Sequence, residues 1–474
     1  MVAKRAPSVV AIIVNMIQLT AVWKLKKEAK PVDFKHIKMR LWQYKRSLQR
    51  KFKYHSVRTS EFEWSVIRGT LTRFFFYGIF SILSGVCIGV ATAIFGHGLL
   101  FFNSLRDAHI YYFIPFLGIA GVIMMSINMR YGGKAQKGMG LVFAVGLNQE
   151  DSIPMRMAPM TVISTWMTHL FGGSAGREGV AIQIGATVAM QFSRLCKIDI
   201  NKHVILTIGM AAGFAGLFGT PVAATFFALE VLVVGSVYYE ALAPALIAAY
   251  TAAFTSRALG LHPMFMPIGE VPAMDGKLMA ITIIGGLLFG AVGWLFSWLL
   301  SHLRLYFALL IDDPRLRIFI IGCILAVFLI ICDGGRYCGL STPIFEAALT
   351  GGDIYFRDWI LKLLFTTVTL AAGFQGGELT PLFVIGTALG AFVALQLGLP
   401  VALFAAMGCV AVFGSATKTL LAPIFIGAEV FGTQGLPFYC LVVIIGFLIS
   451  GHHGIYANQR FLSEKAYSSE EVAK

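Results

Sequence analysis

The stretches GSAGREGVAIQIG (residues 173–185) and GFQGGELTP (residues 373–381) decide how this chain can fold. Each places several glycines and one glutamate inside a long apolar run. Glycine lets backbone amides approach an ion closely, and a helix that begins at such a cluster presents unpaired N–H groups and the positive end of its dipole. The pattern predicts helices that are broken inside an apolar interior, with an anion site at the breaks.

The composition requires a lipid environment around most of the chain. Of the 474 residues, 57% are hydrophobic and 13% are charged, whereas soluble domains carry about 25% charged residues. Apolar segments follow one another from Phe74 to about Ser450, and several exceed the ~20 residues that span a bilayer. We therefore predict an all-α polytopic membrane protein with broken and re-entrant helices, which a bilayer tolerates where the freed backbone lines a protein-buried cavity.

The net charge of +14 is concentrated before the first long apolar segment. Between Lys24 and Arg58 the chain holds thirteen Lys or Arg and two acidic residues. Such a block is typical of a cytoplasmic, membrane-apposed segment under the positive-inside rule, and we prefer this interpretation to a nucleic-acid-binding arm. We predict a basic N-terminal segment (1–70), a membrane domain (71–460), a short cytoplasmic tail (461–474) and a cytoplasmic N-terminus.

The chain also carries an internal repeat at an offset of about 200 residues. Two repeat halves follow, about 71–258 and 275–460, and secondary transporters commonly place the substrate site where such halves meet. The sequence leaves open whether the repeat is inverted. The residues that recur include these pairs: Glu178 and Glu378, Gly209 and Gly408, Phe226 and Phe425, and Glu230 and Glu429.

Glu178 is the main candidate for chemistry. A charged carboxylate is costly in its apolar setting, so its protonation is expected to be finely balanced. Beside an anion site, the carboxylate can occupy the site when ionised and leave it when protonated, which couples proton movement to anion movement. The alternative is a structural glutamate paired with Arg177.

Other polar residues are better explained as structural. Glu230 and Glu429 are expected to accept backbone amides, and the doublet His452 and His453 fits a turn better than a metal site. The seven cysteines are scattered and form no CxxC pair, so neither a metal nor a disulfide framework is indicated. The sequence shows no nucleotide-binding loop and no nucleophile elbow, so we expect no cofactor, no enzymatic activity and no primary pump.

The segment GREGVAIQIG (176–185) resembles the GREGP-containing segment of the CLC family of chloride channels and anion/proton antiporters. The resemblance places Glu178 on the family's gating glutamate and Tyr456 on its anion-coordinating tyrosine. It places KGMGLV (137–142) at the first anion-binding segment and GGELTP (376–381) at the GxFxP segment. It further implies a CLC-type fold, a homodimer with a separate pathway in each subunit, and residence in the cytoplasmic (inner) membrane.

Four residues depart from the family pattern, and the departures at Met139, in GGELTP and at the missing inner glutamate resemble the family's fluoride-exporting branch. Met139 replaces a coordinating serine, Val180 replaces a proline, Leu379 replaces a phenylalanine, and Val231 replaces the inner proton-transfer glutamate of chloride exchangers. The resemblance therefore implies proton-coupled fluoride export, a fluoride/proton antiporter. A chloride or general halide transporter or channel of the same fold is the alternative, and the inner proton route is left open by Val231.

The resemblance also defines the expected anion path. Backbone amides around Gly140, Leu141, Glu378 and Leu379 are expected to bind the anion, and the Tyr456 hydroxyl is expected to donate to it. Met139 alters the size and polarity of the site. Three further residues are candidates for lining the pore. Phe143 and Phe383 would face the anion with their positively polarised ring edges, and the alternative is that they only pack. Thr380 would form a polar track with Glu378, and the alternative is a helix-capping role.

Overall fold

The computed structural model describes residues 59–196 and 201–462, and it describes side chains from residue 75 onward. The chain divides into two units, Met1–Phe74 and Phe75–Lys474, and each is considered by itself. Of the first unit, only the helical backbone from Thr59 lies within the described residues. Most of the basic segment predicted for residues 1–70, and nearly all of the tail predicted for 461–474, lie outside them. Those two predictions stay predictions.

The first repeat half is a succession of helices joined by short turns. Long apolar helices alternate with short ones, because glycine, proline and polar clusters interrupt the apolar runs. The elements are α1 (Thr59–Ala108), α2 (Ile110–Phe113), α3 (Leu117–Tyr131), α4 (Met139–Gly146), α5 (Met157–Leu170), α6 (Glu178–Leu195), α7 (Lys202–Phe218), α8 (Pro221–Glu230), β1 (Val233–Val234) and α9 (Leu242–Ala258).

The second half repeats this succession. The short α16 continues as a π-helix over Gly427–Phe431, and β2 pairs in parallel with β1 across two residues each. The elements are α10 (Gly276–Leu310), α11 (Pro314–Ile331), α12 (Thr342–Thr350), α13 (Phe356–Ala372), α14 (Leu379–Leu397), α15 (Val401–Thr417), α16 (Leu421–Ile426), α17 (Leu436–Ile449) and β2 (Arg460–Phe461).

The apolar runs 159–194 and 357–395 are each broken into two helices, as predicted. The first run becomes α5 and α6, and the second becomes α13 and α14. The two breaks fall at the glycine clusters because glycine relieves crowding where the chain changes direction. The all-α fold with broken helices is therefore confirmed, apart from the small β1–β2 pairing.

Glycine also sets the closest helix–helix contacts in the core. Gly185 of α6 faces Gly209 of α7, and Gly386 of α14 faces Gly408 of α15. A Cβ atom on Gly185, Gly386 or Gly408 would collide with the carbonyl oxygen of the facing glycine. Small residues allow helix backbones to approach closely inside membranes. The recurring pair Gly209 and Gly408 thus serves the same packing role in each half.

The two halves meet through equivalent residues, which defines a local two-fold relation between them. The rings of Phe226 and Phe425 stack with centroids 4.6 Å apart and an interplanar angle of 9°. Gly176 and Gly377 exchange two backbone hydrogen bonds as an antiparallel pair, of 2.7 and 2.8 Å. The internal repeat is confirmed by the stacking of Phe226 on its equivalent Phe425, whereas Gly176 pairs with the residue after its own equivalent, Gly376.

Glu230 and Glu429 accept backbone amides, as predicted, and they do so across the two halves. Glu230 accepts from the N–H groups of Leu420 and Leu421 at 2.7 and 2.9 Å. Glu429 accepts from Val222 and Ala223 at 3.1 and 2.8 Å. Each carboxylate thereby satisfies the unpaired amides at the start of the short helix in the other half.

Several helices in the described part of the chain are long and apolar enough to cross a bilayer. Their outward faces carry many exposed large apolar side chains, including Phe101, Ile284 and Phe328. Lipid is the solvent that such a surface requires, so the chain is a multi-pass membrane protein. The qualifying stretches are Phe75–Ala108, Ile110–Tyr131, Gly276–Leu310, Pro314–Ile331 and Leu379–Leu397.

Candidate functional site

Three helices begin close to one another at the centre of the repeat. Helix α4 begins at Met139 after Gly138, whose φ of +52° suits glycine. Helix α6 begins at Glu178, and α14 begins at Leu379 with Glu378 as its N-cap. The paired backbone of Gly176 and Gly377 fixes the starts of α6 and α14 beside each other. The positive ends of these two helices therefore meet in the core, as an anion site requires.

The Glu178 carboxylate lies at the start of α14. Its side chain is fully buried, and Oε2 accepts hydrogen bonds from the backbone N–H of Thr380 at 3.1 Å and from the Thr380 hydroxyl. The backbone N–H of Arg177 donates to the same oxygen at 3.3 Å. An anionic group thus occupies the amide-lined helix start that an entering anion would use.

Arg177 contributes less to holding Glu178 than its sequence position suggests. Its Nε lies 3.6 Å from Oε1 of Glu178, and neither atom has a hydrogen-bond partner among the described residues. Thr380, which is about 200 residues away in the sequence, is the principal partner. Thr380, which was predicted to form a polar track with Glu378, thus contacts Glu178.

A cavity of about 270 Å³ opens next to these helix starts. Met139, Gly140, Phe143, Glu378 and Tyr456 all line it. The fold therefore brings together five of the predicted site residues, which come from three separate segments of the chain. Its remaining polar lining includes Lys137, Gln183, Arg304, Gln375 and Asn458.

Tyr456 offers an unused hydroxyl at this cavity. The residue is 7% exposed, and its Oη has no hydrogen-bond partner in the described part of the chain. Its ring lies 5.0 Å from that of Phe143, centroid to centroid. Buried hydroxyl groups are nearly always hydrogen-bonded, so an unpaired one facing a cavity suits a ligand that accepts its proton.

Glu378 lies on the opposite wall and pairs with a residue that sequence reasoning missed. Its Oε1 is 3.4 Å from a terminal guanidinium nitrogen of Arg304 on α10. The available signal was a lone basic residue near the end of the apolar run 278–311, since such residues are expensive in membranes and usually face a polar interior. Asn458, also missed, donates to the Gly140 carbonyl at 3.3 Å.

The remaining predicted site residues are buried and do not line the cavity. Leu141 and Leu379 are fully buried, and the Leu141 N–H donates to the Gly138 carbonyl at 3.0 Å. The Phe383 ring packs between those of Phe218 and Phe413, with centroids 5.3 and 5.0 Å away. The position of Val231, where chloride exchangers carry a glutamate, is buried too. The predicted transport roles of Leu141, Leu379 and Phe383 stay predictions.

Lys137 lines the cavity, and Lys134 lies near it in the sequence. Lys134 and Lys137 both donate to Glu150, at 2.7 and 3.0 Å. The hydrogen bond from Lys134, followed by that from Lys137, lowers the pKa of the Glu150 carboxyl. Glu150 is therefore ionised at neutral pH and holds Lys137 at the cavity.

The histidine doublet makes only aromatic contacts. The His452 ring lies 5.0 Å from Phe461, and His453 stacks on Trp294 at 6.3 Å. Within residues 59–196 and 201–462, no group of three or more His, Cys, Asp or Glu side chains is placed to hold a metal ion.

Amide-lined helix starts, a buried carboxylate and a partly cationic cavity inside a multi-pass helical fold define a membrane protein that transports ions. Residues 120–451 match the family model described as voltage gated chloride channel, and the chain belongs to this family, the CLC family. Family membership points to ion transport rather than to catalysis.

Individual relatives support the same assignment. The chain is 36% identical over 391 residues to a chloride/fluoride channel protein of Pseudomonas syringae pv. tomato. The aligned residues cover 80% of this chain and 85% of the relative. The chain is 24% identical over 299 residues to the H(+)/Cl(-) exchange transporter ClcA of Vibrio cholerae, covering 58% and 62%.

Solved structures with the same fold include transporters of both halides. A CLC-type fluoride/proton antiporter is 44% identical, with a TM-score of 0.81 over 82% of this chain and 98% of that one. A slow cyanobacterial Cl-/H+ antiporter is 19% identical, with a TM-score of 0.69 over 84% and 98%. The second likeness shows the fold alone.

Proposed function

We propose that this chain is a fluoride/proton antiporter that exports fluoride across the cytoplasmic membrane. The observation that carries the proposal is the Glu178 carboxylate at the start of α14, where it accepts the Thr380 amide and hydroxyl. A carboxylate in that position competes with an anion for the same donors. Release of the anion and protonation of the carboxylate are then alternative events at one site.

The transport cycle follows from this competition. When an anion takes the donors at the start of α14, the Glu178 carboxylate is displaced. Inside the low-dielectric core the displaced carboxylate is costly unless it takes up a proton. Its return in the ionised form expels the anion and gives up the proton. Anion binding and proton uptake are thus linked through one side chain, and antiport requires that each substrate leaves on the side from which the other came.

A route from the cavity to this site is supported by four of the predicted residues. Tyr456 presents a free hydroxyl, and Phe143 presents a ring beside it. Glu378 and Thr380 continue the polar lining toward Glu178. We assign anion binding to Tyr456 and to the amides at the starts of α4 and α14, with Glu378 and Thr380 as the polar track between them.

Fluoride preference is supported by two observations. The 44% identical solved relative is described as a fluoride/proton antiporter, and the 36% identical one from Pseudomonas syringae is named for both chloride and fluoride. Met139, which stands where the family has a coordinating serine, lines the cavity and removes a hydroxyl donor from it. Because the name of the Pseudomonas syringae relative also includes chloride, it equally favours the alternative of a general halide transporter.

Purified protein in liposomes tests the proposal directly. Vesicles loaded with fluoride or with chloride are diluted into halide-free buffer, and halide efflux and proton uptake are recorded together. We expect fluoride efflux coupled to proton uptake, and much slower chloride efflux. Comparable efflux of both anions would replace fluoride export with general halide transport, and fluoride efflux without proton movement would replace the antiporter with a channel.

A further inference from the structure

Lys362 of α13 is a fully buried lysine in the second half. Its ammonium donates to the Ser174 hydroxyl at 3.0 Å, to the Gly339 carbonyl at 2.7 Å and to the Tyr337 carbonyl at 3.3 Å. Within the described residues, no carboxylate lies at ion-pair distance from it. A buried cation held only by neutral oxygens is costly, so its position calls for a specific role.

The lysine acts on the segment 173–177, which leads into α6. Ser174 contacts three residues on one face of α13, namely Lys362, Thr366 and Thr369. Its hydroxyl pairs with the Thr366 hydroxyl at 2.9 Å, and its N–H donates to the Thr369 hydroxyl at 3.3 Å. The preceding Gly173 carbonyl accepts from the Gly339 N–H at 3.1 Å. The segment is therefore attached to the second half on one side by α13.

The other side of the same segment carries the proposed site. Gly176 forms its two backbone bonds with Gly377, and Glu178 follows at the start of α6. Lys362 thus anchors the segment 173–177 near its start, and the end of this segment sets the position of the Glu178 carboxylate. Four residues lie between Gly173 and Glu178, so a shift at Ser174 is transmitted to Glu178 through a short, non-helical connection.

The internal repeat shows that this anchor is not a general feature of the fold. At the same offset, the counterpart of Lys362 is Ile163 on α5, whose exposed fraction is 51%. A contact needed only to hold a broken helix together would be expected in both halves, since both halves contain such a break. The anchor is present only beside the segment that leads to Glu178.

We propose that Lys362 is a positioning residue for proton coupling. Its ammonium fixes the segment 173–177 through Ser174, so that the Glu178 carboxylate meets the start of α14 in one geometry. This inference rests on the proposed role of Glu178. It concerns the ratio of protons to anions moved, whichever halide the protein prefers.

The test compares Lys362→Met and Ser174→Ala with the wild-type protein in liposomes. Loss of a charge-assisted hydrogen bond should increase the population of molecules in which the segment 173–177 is displaced by about tenfold. We expect both variants to move fewer protons per anion and to leak anion, and Lys362→Arg to restore part of the ratio. Ser174→Ala keeps the lysine and two of its acceptors, so it reports on the anchor if Lys362→Met does not fold.

Lys418→Met is the matched control, because Lys418 is also buried and donates to the Phe447 carbonyl at 2.8 Å and to the Ser450 hydroxyl at 3.0 Å. It has no hydrogen bond to the segment 173–177, so its variant should keep the wild-type ratio. An unchanged ratio in Ser174→Ala, or an equal loss in Lys418→Met, would overturn the inference.

Hydrogen–deuterium exchange of the detergent-purified proteins gives a readout that does not depend on transport. We expect the amides of residues 173–178 to exchange about tenfold faster in Lys362→Met and Ser174→Ala, with no change in α16. If wild-type protein moves no protons, the proposed function fails while this result can still hold. Unchanged exchange at 173–178 would contradict the anchor itself.

Discussion

Glu178 combines two features that are rarely found together in a membrane interior, a fully buried carboxylate and several donors aimed at one of its oxygens. Three donors converge on Oε2, whereas Oε1 has no hydrogen-bond partner among the described residues. Oε1 instead lies 3.6 Å from the Arg177 Nε. The three donors hold the carboxylate at the start of α14, so an entering anion has to displace it.

Glu178→Gln should abolish proton transport, because an amide cannot release or take up a proton at neutral pH. The glutamine oxygen can still accept from the Thr380 N–H, so we expect the protein to fold. Proton uptake driven by a halide gradient in liposomes measures the effect. Glu346→Gln on α12, where the side chain is exposed, is the matched control and should transport normally. Residual proton uptake at the wild-type rate in Glu178→Gln would remove the coupling role.

Arg304→Gln should weaken entry of the anion into the cavity. The change removes a partly exposed cation at 3.4 Å from Glu378 and leaves that carboxylate facing the cavity unopposed. We expect the KM for the halide to rise about two- to fivefold at low salt, the range of partly exposed ion pairs. The difference should shrink as ionic strength increases.

Initial efflux rates at several halide concentrations measure this change. Arg315→Gln, which alters an exposed arginine beyond the end of α10, is the matched control and should leave the KM unchanged. An equal effect of both variants would show that net charge, and not the pair with Glu378, is responsible.

At the level of elements, the short helices α8 and α16 depend on carboxylates from the opposite half. Helices of six to ten residues are marginal by themselves, and their first amides are buried where water cannot satisfy them. Glu429 serves α8 and Glu230 serves α16. The two contacts tie the halves together at the axis where Phe226 and Phe425 stack.

Glu230→Ala should therefore destabilise the protein although Glu230 lies outside the transport cavity. It leaves the buried N–H groups of Leu420 and Leu421 without an acceptor, at a cost of about 1–3 kcal/mol. Glu429→Ala should cost a similar amount because the arrangement is reciprocal. Thermal unfolding of the detergent-purified variants checks both, and Glu346→Ala is the control. A stability equal to wild type in Glu230→Ala would contradict the capping role.

The glycine contacts between α14 and α15 make a second prediction at this scale. Gly408→Ala places a methyl group against the Gly386 carbonyl, and the helices must separate to accept it. Overpacking of this kind costs about 1–3 kcal/mol. Gly451→Ala is the comparison, because Gly451 has open space around it but a φ of +56°. This variant therefore introduces backbone strain without a steric collision. We expect a larger loss of thermal stability in Gly408→Ala.

For the whole molecule, the resemblance to the CLC family implies a homodimer in which each subunit has its own pathway. We propose this assembly for the chain, with its exposed apolar surface shared between lipid and the second subunit.

Mixing subunits tests this proposal. Wild-type and Glu178→Gln chains carrying different tags are co-expressed, and the mixed assembly is isolated by sequential affinity steps. With two independent pathways, the mixed dimer should retain about half of the coupled proton transport. Complete loss of coupled transport in the mixed dimer would show that the two subunits act together, and failure to isolate one would argue for a monomer.

Several features could be predicted from the sequence because they depend on local composition. The membrane environment follows from the scarcity of charge, and the broken helices follow from glycine clusters within apolar runs. Glu178 and Glu378 could be selected because each is a polar group in an apolar segment next to such a break, whereas Tyr456 was selected through the family resemblance. These are properties of short stretches of sequence, and they do not depend on how the rest of the chain packs.

Other features were decided by tertiary structure, because they join segments that are distant in the sequence. Thr380 rather than Arg177 holds Glu178, Arg304 faces Glu378, and Lys362 reaches Ser174, with at least seventy residues between the partners in each case. Phe383 packs among other rings and does not line the cavity. Composition determines that a polar group in lipid must find a partner, but only the packing of the two halves determines which one.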